Sequence, residues 1–187
     1  MRYAKPYIDY LVEFHGTRDY FECHELLEEH WKEQGTSDPY ADTWVGLIQI
    51  AVGQYHHRRG NVKGAEKLFR QAERRLNPQL LEQLGLSGQA VADMVRGKLQ
   101  ELSAAGEPPP FRDMDLPFRD LKLERECRER TTLAGYGWCK PSRCDGQLVH
   151  RHTLRDRSSV IAARAEAYEQ RRASELAGER QKSEADS

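Results

Sequence analysis

Residues Trp44–Tyr55 read WVGLIQIAVGQY, and this run decides the fold class. It is apolar almost all the way round a helical wheel, which suits a helix enclosed by others rather than one lying on a surface. Gly46 and Gly53 allow another helix to approach it closely, and Gln49, Val52, Gly53 and His56 fall on one stripe. The expected helix spans about residues 40–59, with Asp38 as N-cap and Pro39 as its first residue. Gly60 supplies a left-handed stop, and Asn61 caps the next helix with its side-chain oxygen.

Toward the N-terminus, Tyr7, Ile8, Leu11, Val12 and Phe14 predict a helix over 4–15 that stops at Gly16. Asp19 and Glu22 have the spacing of a capping box for a second helix, which keeps its period through Phe21, Leu27 and Trp31 and ends at Gly35. Toward the C-terminus, Gly64 and Ala65 open a fourth helix and are small enough for a close neighbour. That helix runs through Leu68, Phe69, Ala72 and Leu76 to Pro78. A short helical turn over 78–84 precedes a helix over 87–103 whose inward stripe is Leu86, Val91, Met94, Val95, Leu99 and Leu102. The pattern breaks at GEPPPFRDMDLPF (106–118), because three consecutive prolines favour extended geometry.

The expectation is therefore an all-α helical bundle, with one central helix surrounded by about five others, in a core over 1–106. An extension over 107–157 is expected to hold a helix over 118–130 and a small β-hairpin pairing GYGW (135–138) with QLVHRHTL (147–154). Residues 158–187 read as a projecting helix, poor in apolar residues, with a disordered end.

The totals narrow the classes of function. At 187 residues and 38% apolar, the chain can bury a proper core. Charged residues make up 32% but nearly cancel, to −1, so no global field favours nucleic acid or an anionic membrane. No apolar run approaches the ~20 residues of a membrane span, and MRYAKPYIDYLVEF lacks the apolar core of a signal peptide. A soluble, cytosolic protein is expected. Four sparse cysteines, Cys23, Cys127, Cys139 and Cys144, argue against a disulfide framework.

Chemistry concentrates in HELLEEHW, His24–Trp31. The octet begins like the H-E-x-x-H helix of zinc hydrolases, but Glu28 stands where the second histidine belongs. His24, Glu28 and Trp31 lie within about 60° of one another around the helix, with Glu25 at the edge of that face. One reading has His24, Glu28, Gln49 and His56 satisfy one another as a polar seam between the second and third helices, since a buried unsatisfied group costs about 1–3 kcal/mol. The chain is then structural or binds a partner there, without a cofactor. The competing reading collects His24, Glu28 and His56 as ligands for Zn or Fe, with Glu25 as general base of a hydrolase or oxidoreductase. His30 and His57 fall on other faces and read as exposed or packing residues; Trp31 and Trp44 read as core anchors.

RDYFECHELLEEHWKE followed by WVGLIQIAVGQYHHRRGNVKGAEKLF resembles the bacterial and archaeal family called domain of unknown function 309. The residues that carry the resemblance are His24, Glu25, Glu28 and Trp31, then Gly46, Leu47, Gln49, Ala51 and His56, then Gly60, Asn61, Gly64 and Ala65. The resemblance covers roughly residues 7–76, and VHRHTLRDRSSVI is similar to the extension of longer members. It implies an all-helical bundle with a central helix, places the family's motif at His24, Glu25, Glu28, Trp31, Gln49, His56, Asn61 and Gly64, and implies no established activity.

Two features of the tail bear on partners. Cys139, Cys144, His150 and His152 could form a zinc site, although C-x4-C-x5-H-x-H matches no standard structural spacing. Residues 151–182 hold eight Arg or Lys against five Asp or Glu, a net of about +3 that suits a solvated helix better than a nucleic-acid module. A protein partner or a second copy of the chain is the class of partner left standing.

Overall fold

A computed structural model describes residues 3–142. Among them are seven α-helices and no sheet: α1 (Lys5–Val12), α2 (Tyr20–Gln34), α3 (Ala41–Arg58), α4 (Val62–Arg75), α5 (Pro78–Gln83), α6 (Gly88–Ser103) and α7 (Leu121–Leu133). The expected all-α bundle is what the chain forms. The one bridge outside the helices joins Leu86 to Phe118. The hairpin partner QLVHRHTL and the helix expected beyond residue 158 lie outside the described residues, and Gly135–Trp138 are turn and coil, not strand.

α3 is the enclosed helix its sequence predicts, burying Trp44, Leu47, Ile50, Ala51 and Tyr55 together with the polar Thr43, Gln49, Gln54 and His57. Two α1 tyrosines are completely buried and spend their hydroxyls on backbone: Tyr10 donates to Leu47 O at 2.9 Å and Tyr7 to Leu84 O at 2.9 Å. Each ring thereby contributes apolar area without stranding a donor. α4 packs on α3 at its two glycines. A Cβ on Gly53 would stand 2.9 Å from the Phe69 ring, and one on Gly46 would stand 2.7 Å from Leu76 Cδ2. Gly53→Ala is accordingly expected to cost about 1–3 kcal/mol through overpacking, measured by urea denaturation, although alanine is the better helix former.

Several boundaries differ from expectation, each for a local reason. The first helix does not stop at Gly16: it widens into a π-helical turn, Glu13–Thr17, and ends at Arg18, whose φ of 60° is left-handed. Gly16 instead serves packing, since a Cβ there would meet Thr131 Cγ2 at 2.6 Å. α3 begins at Ala41, not Pro39, because Asp38 uses its two oxygens otherwise, accepting from Tyr40 N at 3.0 Å and Trp44 Nε1 at 2.6 Å. Asp19 and Asn61 cap α2 and α4 as the sequence predicts.

Helix breaks at the prolines, yet packing continues past residue 106. Met114, Leu116, Leu123 and Cys127 are buried in the same cluster as the bundle core. His57 Nε2 donates to Pro109 O at 3.0 Å, and its ring meets Phe111 edge-on at 5.5 Å. Gly85 O accepts from Arg119 N and Asp120 N at 2.9 and 3.0 Å, pinning the start of α7, which Asp120 then caps. Alternation of buried Met114 and Leu116 with the polar Asp113 and Asp115 gives this extended strap an inner face.

Candidate functional site

α2 positions the central cluster. Asp19 Oδ1 accepts from Glu22 N at 3.0 Å and fixes the start of the helix, so residues 24 and 28 share a face one turn apart. The His24 ring stands between two carboxylates: Nδ1 is 3.0 Å from Glu25 Oε1, and Nε2 is 3.2 Å from Glu28 Oε2. Lys32 Nζ closes the row at 2.9 Å from the other Glu28 oxygen. One donor atom from each of His24, Glu25 and Glu28 falls within a 4.8 Å group, the only such set of three or more among the described residues. All three are half-exposed.

Phe21 and Tyr55 flank this cluster. The Phe21 ring lies 6.0 Å from His24 and 6.1 Å from Tyr55 on α3, and Arg59 sits over the Tyr55 ring at 5.3 Å. Half-buried Trp31 packs against the core, and His30, on the opposite side of α2, is buried edge-on against Trp44 at 5.3 Å.

The residues expected to close a seam across the second and third helices are divided among three places. His56 belongs to the turn that follows α3: its Nδ1 accepts from Asn61 Nδ2 at 2.8 Å, while Asn61 Oδ1 accepts from Gly64 N at 3.0 Å. Burial, and then Arg59 nearby, lowers the His56 pKa, which keeps the ring neutral and able to accept. Gly64 is small for this cap and not for a neighbouring helix, because a Cβ would stand 2.6 Å from Asn61 Nδ2. Gln49 faces α4, between the two glycines, and donates to Gln71 Oε1 at 3.3 Å. The cause is the same close approach that Gly46 and Gly53 permit: it turns the polar stripe of α3 toward α4 and leaves His24 to carboxylates of its own helix.

A second polar cluster, larger and more buried, went unread in the sequence. Arg18 is 2% exposed and donates four times: from Nη1 to Phe14 O and Met114 O at 3.0 Å each, from Nε to Lys140 O at 3.0 Å, and from Nη2 to Asp115 Oδ1 at 2.7 Å. Tyr20 donates to Asp113 Oδ1 at 2.7 Å, and Ser142 binds Asp113 through its backbone N at 2.7 Å and through its hydroxyl. Arg58 crosses the Tyr20 ring at 5.0 Å and donates to Arg18 O at 2.7 Å. His15 is buried beside them, its ring stacked on Trp138 at 4.8 Å. The available signal was RDMD (112–115), two acids alternating with an apolar residue in a segment without helical period. Arg18 through Met114, Asp115 and Lys140, Tyr20 through Asp113, and His15 through Trp138 tie the 113–142 segment to the end of α1 and the start of α2, so the cluster is a clasp. Of the four residues of the suggested tail zinc site, Cys139 is described: its backbone N donates to His15 O at 2.8 Å, and burial and Asp115 push its thiol up to about 12. Cys144, His150 and His152 lie outside the described residues.

The comparisons agree with the residues that carried the resemblance. The sequence model of a domain of unknown function (DUF309) matches residues 7–68, the span from α1 into α4 that holds both His24 and His56. The chain is also 42% identical over 178 residues to the uncharacterized protein YpuF of Bacillus subtilis (strain 168), a match that covers 92% of this chain and 98% of the relative. No solved structure matches. The likeness to YpuF runs through the strap and α7 as well as the motif helices, and the chain, through residues 7–68, belongs to the domain of unknown function 309 family.

Proposed function

We propose that this chain is a binding protein without a catalytic centre of its own, and that the face carrying His24, Glu25 and Glu28, with Phe21 and Tyr55 beside them, receives its ligand. One observation carries the reading: these polar groups are held at the surface by ion pairs, each partner about a third exposed, instead of being closed into the interior. Exposed pairs contribute about 0–1 kcal/mol, so stability is a weak reason for seating an imidazole between two carboxylates. A cytosolic setting fits the buried free thiols of Cys23 and Cys127, and no helix among the described residues is long and apolar enough to cross a membrane. A protein partner or a second copy fits such a face, where the Phe21 and Tyr55 rings lie beside charges of both signs from Glu25, Glu28, Lys32 and Arg59.

His24→Ala and Glu28→Ala are expected to melt within about 4 °C of the parent in metal-free buffer. A fall of more than about 8 °C in both would make the cluster a structural element and end the binding reading.

The 4.8 Å grouping favours a second reading, in which the ligand is a divalent ion such as Zn or Fe and the protein a metal-dependent hydrolase or oxidoreductase. Its ligands are then His24, Glu28 and Glu25, in place of His56, which the α3–α4 turn engages. Glu25 stands as near the imidazole as Glu28 and fits a ligand better than a general base, which weakens the catalytic half of this reading. Elemental analysis of untagged protein, followed by calorimetric titration with Zn²⁺, separates the two: stoichiometric binding lost in His24→Ala supports the metal.

A further inference from the structure

Gln49 belongs to the family motif and yet takes no part in the His24 face; it leads to a different place. The first turn of α3 and the last turn of α4 flank an open surface cleft of about 440 Å³ lined by Asp42, Gln71, Arg74 and Arg75. That volume lies within the range of small-molecule sites. Behind the lining, Gln71 Oε1 accepts from Gln49 Nε2, and Gln49, about nine-tenths buried, keeps its own Oε1 buried without a partner.

Cations in the last turn of a helix are ordinary, because they complement the dipole. Two adjacent guanidinium groups beside a carboxylate and a glutamine pair, around a concave space, are a more particular arrangement. Arg74 is exposed and has no carboxylate partner among the described residues. Arg75 Nη1 pairs with Asp42 Oδ1 at 2.8 Å, and the two side chains are 43% and 76% exposed. An exposed pair of this kind is weak and opens readily, whereas two guanidinium groups converging on one carboxylate make charge-assisted, bidentate bonds.

We infer that this cleft binds a small zwitterion of the α-amino-acid class, its carboxylate held by Arg74 and Arg75 and its ammonium by Asp42. The charges of the lining decide between this and a plain anion. A simple carboxylate or phosphate gains the two arginines but meets Asp42 as a repelling neighbour. A ligand with both charges uses all three groups: it takes the place of Asp42 on Arg75 and returns a cation to Asp42. The inference does not use the His24 face, and the two stand or fall separately.

The test is a ¹⁵N-resolved NMR titration of the full chain with the standard amino acids, and with acetate and inorganic phosphate as plain anions, each to about 20 mM. At least one amino acid is expected to shift amides of residues 42–49 and 71–75 with saturation, and Arg74→Ala and Arg75→Ala to weaken it about tenfold or more. Asp42→Asn carries the sign: it weakens the amino acid about tenfold and strengthens the plain anions. All three positions are exposed, so the variants keep the parent's melting temperature. Absence of saturable shifts with any amino acid overturns the proposal, as does an Asp42→Asn protein that binds amino acids and plain anions alike more tightly.

Discussion

Arg18→Met is expected to lower the unfolding free energy by about 3–5 kcal/mol, read from urea denaturation at pH 7. The guanidinium is the hub of the clasp. Its removal strands Phe14 O and Met114 O in the interior and frees Lys140 O at its edge, and each carbonyl left without a donor costs about 1–3 kcal/mol. Methionine can fill much of the volume but donates nothing. The charge itself matters less than the donors: Asp115, the acidic partner, is half-exposed, so Asp115→Asn is expected to cost about 1 kcal/mol or less. Arg18 also holds a left-handed backbone at φ 60°, which for a non-glycine residue costs about 1–2 kcal/mol and persists only where the surroundings over-determine it. Arg18→Gly should therefore lose less than Arg18→Met. If Arg18→Met unfolds within about 1 kcal/mol of the parent, the strap is not clasped through this side chain.

The clasp also shows where the sequence was legible and where it was not. Helices announce themselves by period and caps, and α2, α4 and α6 follow theirs; the enclosed α3 announces itself by being apolar almost all the way round. Those signals are local, within a turn or two of the residue concerned. Arg18 reaches residues 96, 97 and 122 positions away, and the resulting strap has no period to read. The His24 cluster was legible in part for the same reason. Its i, i+1, i+4 spacing is a property of one helix, so the meeting of His24 with Glu25 and Glu28 follows from α2 alone. Which way the Gln49–His56 stripe turns depends on how α4 docks. The small size of Gly46 and Gly53 did indicate a close neighbour; it could not say that the neighbour is α4.

The parent is expected to lose about 3 kcal/mol more stability than a His15→Gln variant as the pH falls from 7 to 4. His15 lies within the clasp, with Nδ1 2.8 Å from Leu11 O and Nε2 accepting from Leu116 N at 3.0 Å. The first contact requires a proton on Nδ1 and the second a lone pair on Nε2, the neutral tautomer that the shorter Nε2 contact selects over the 3.3 Å approach of Leu116 O to the same nitrogen. Burial drives the pKa from its ordinary 6.5 down to about 4, against the opposing pull of the Leu11 carbonyl. Because the folded pKa lies below the unfolded one, the unfolded chain takes up the proton first. The stability is fully present above the ordinary histidine pKa of 6.5, falls through the window from 6.5 to about 4, and is spent below it. Carboxylates add their own acid slope to both proteins, so the quantity to read is the difference between parent and variant at each pH, from urea midpoints at pH 7, 5.5 and 4. Substitution will lower stability at neutral pH as well, since glutamine cannot meet Leu11 O and Leu116 N from the plane of an imidazole, but that loss is common to all three pH values. Parallel slopes for the two proteins would mean that the ring takes up a proton without unfolding, and that the strap yields at Leu116 to let it do so.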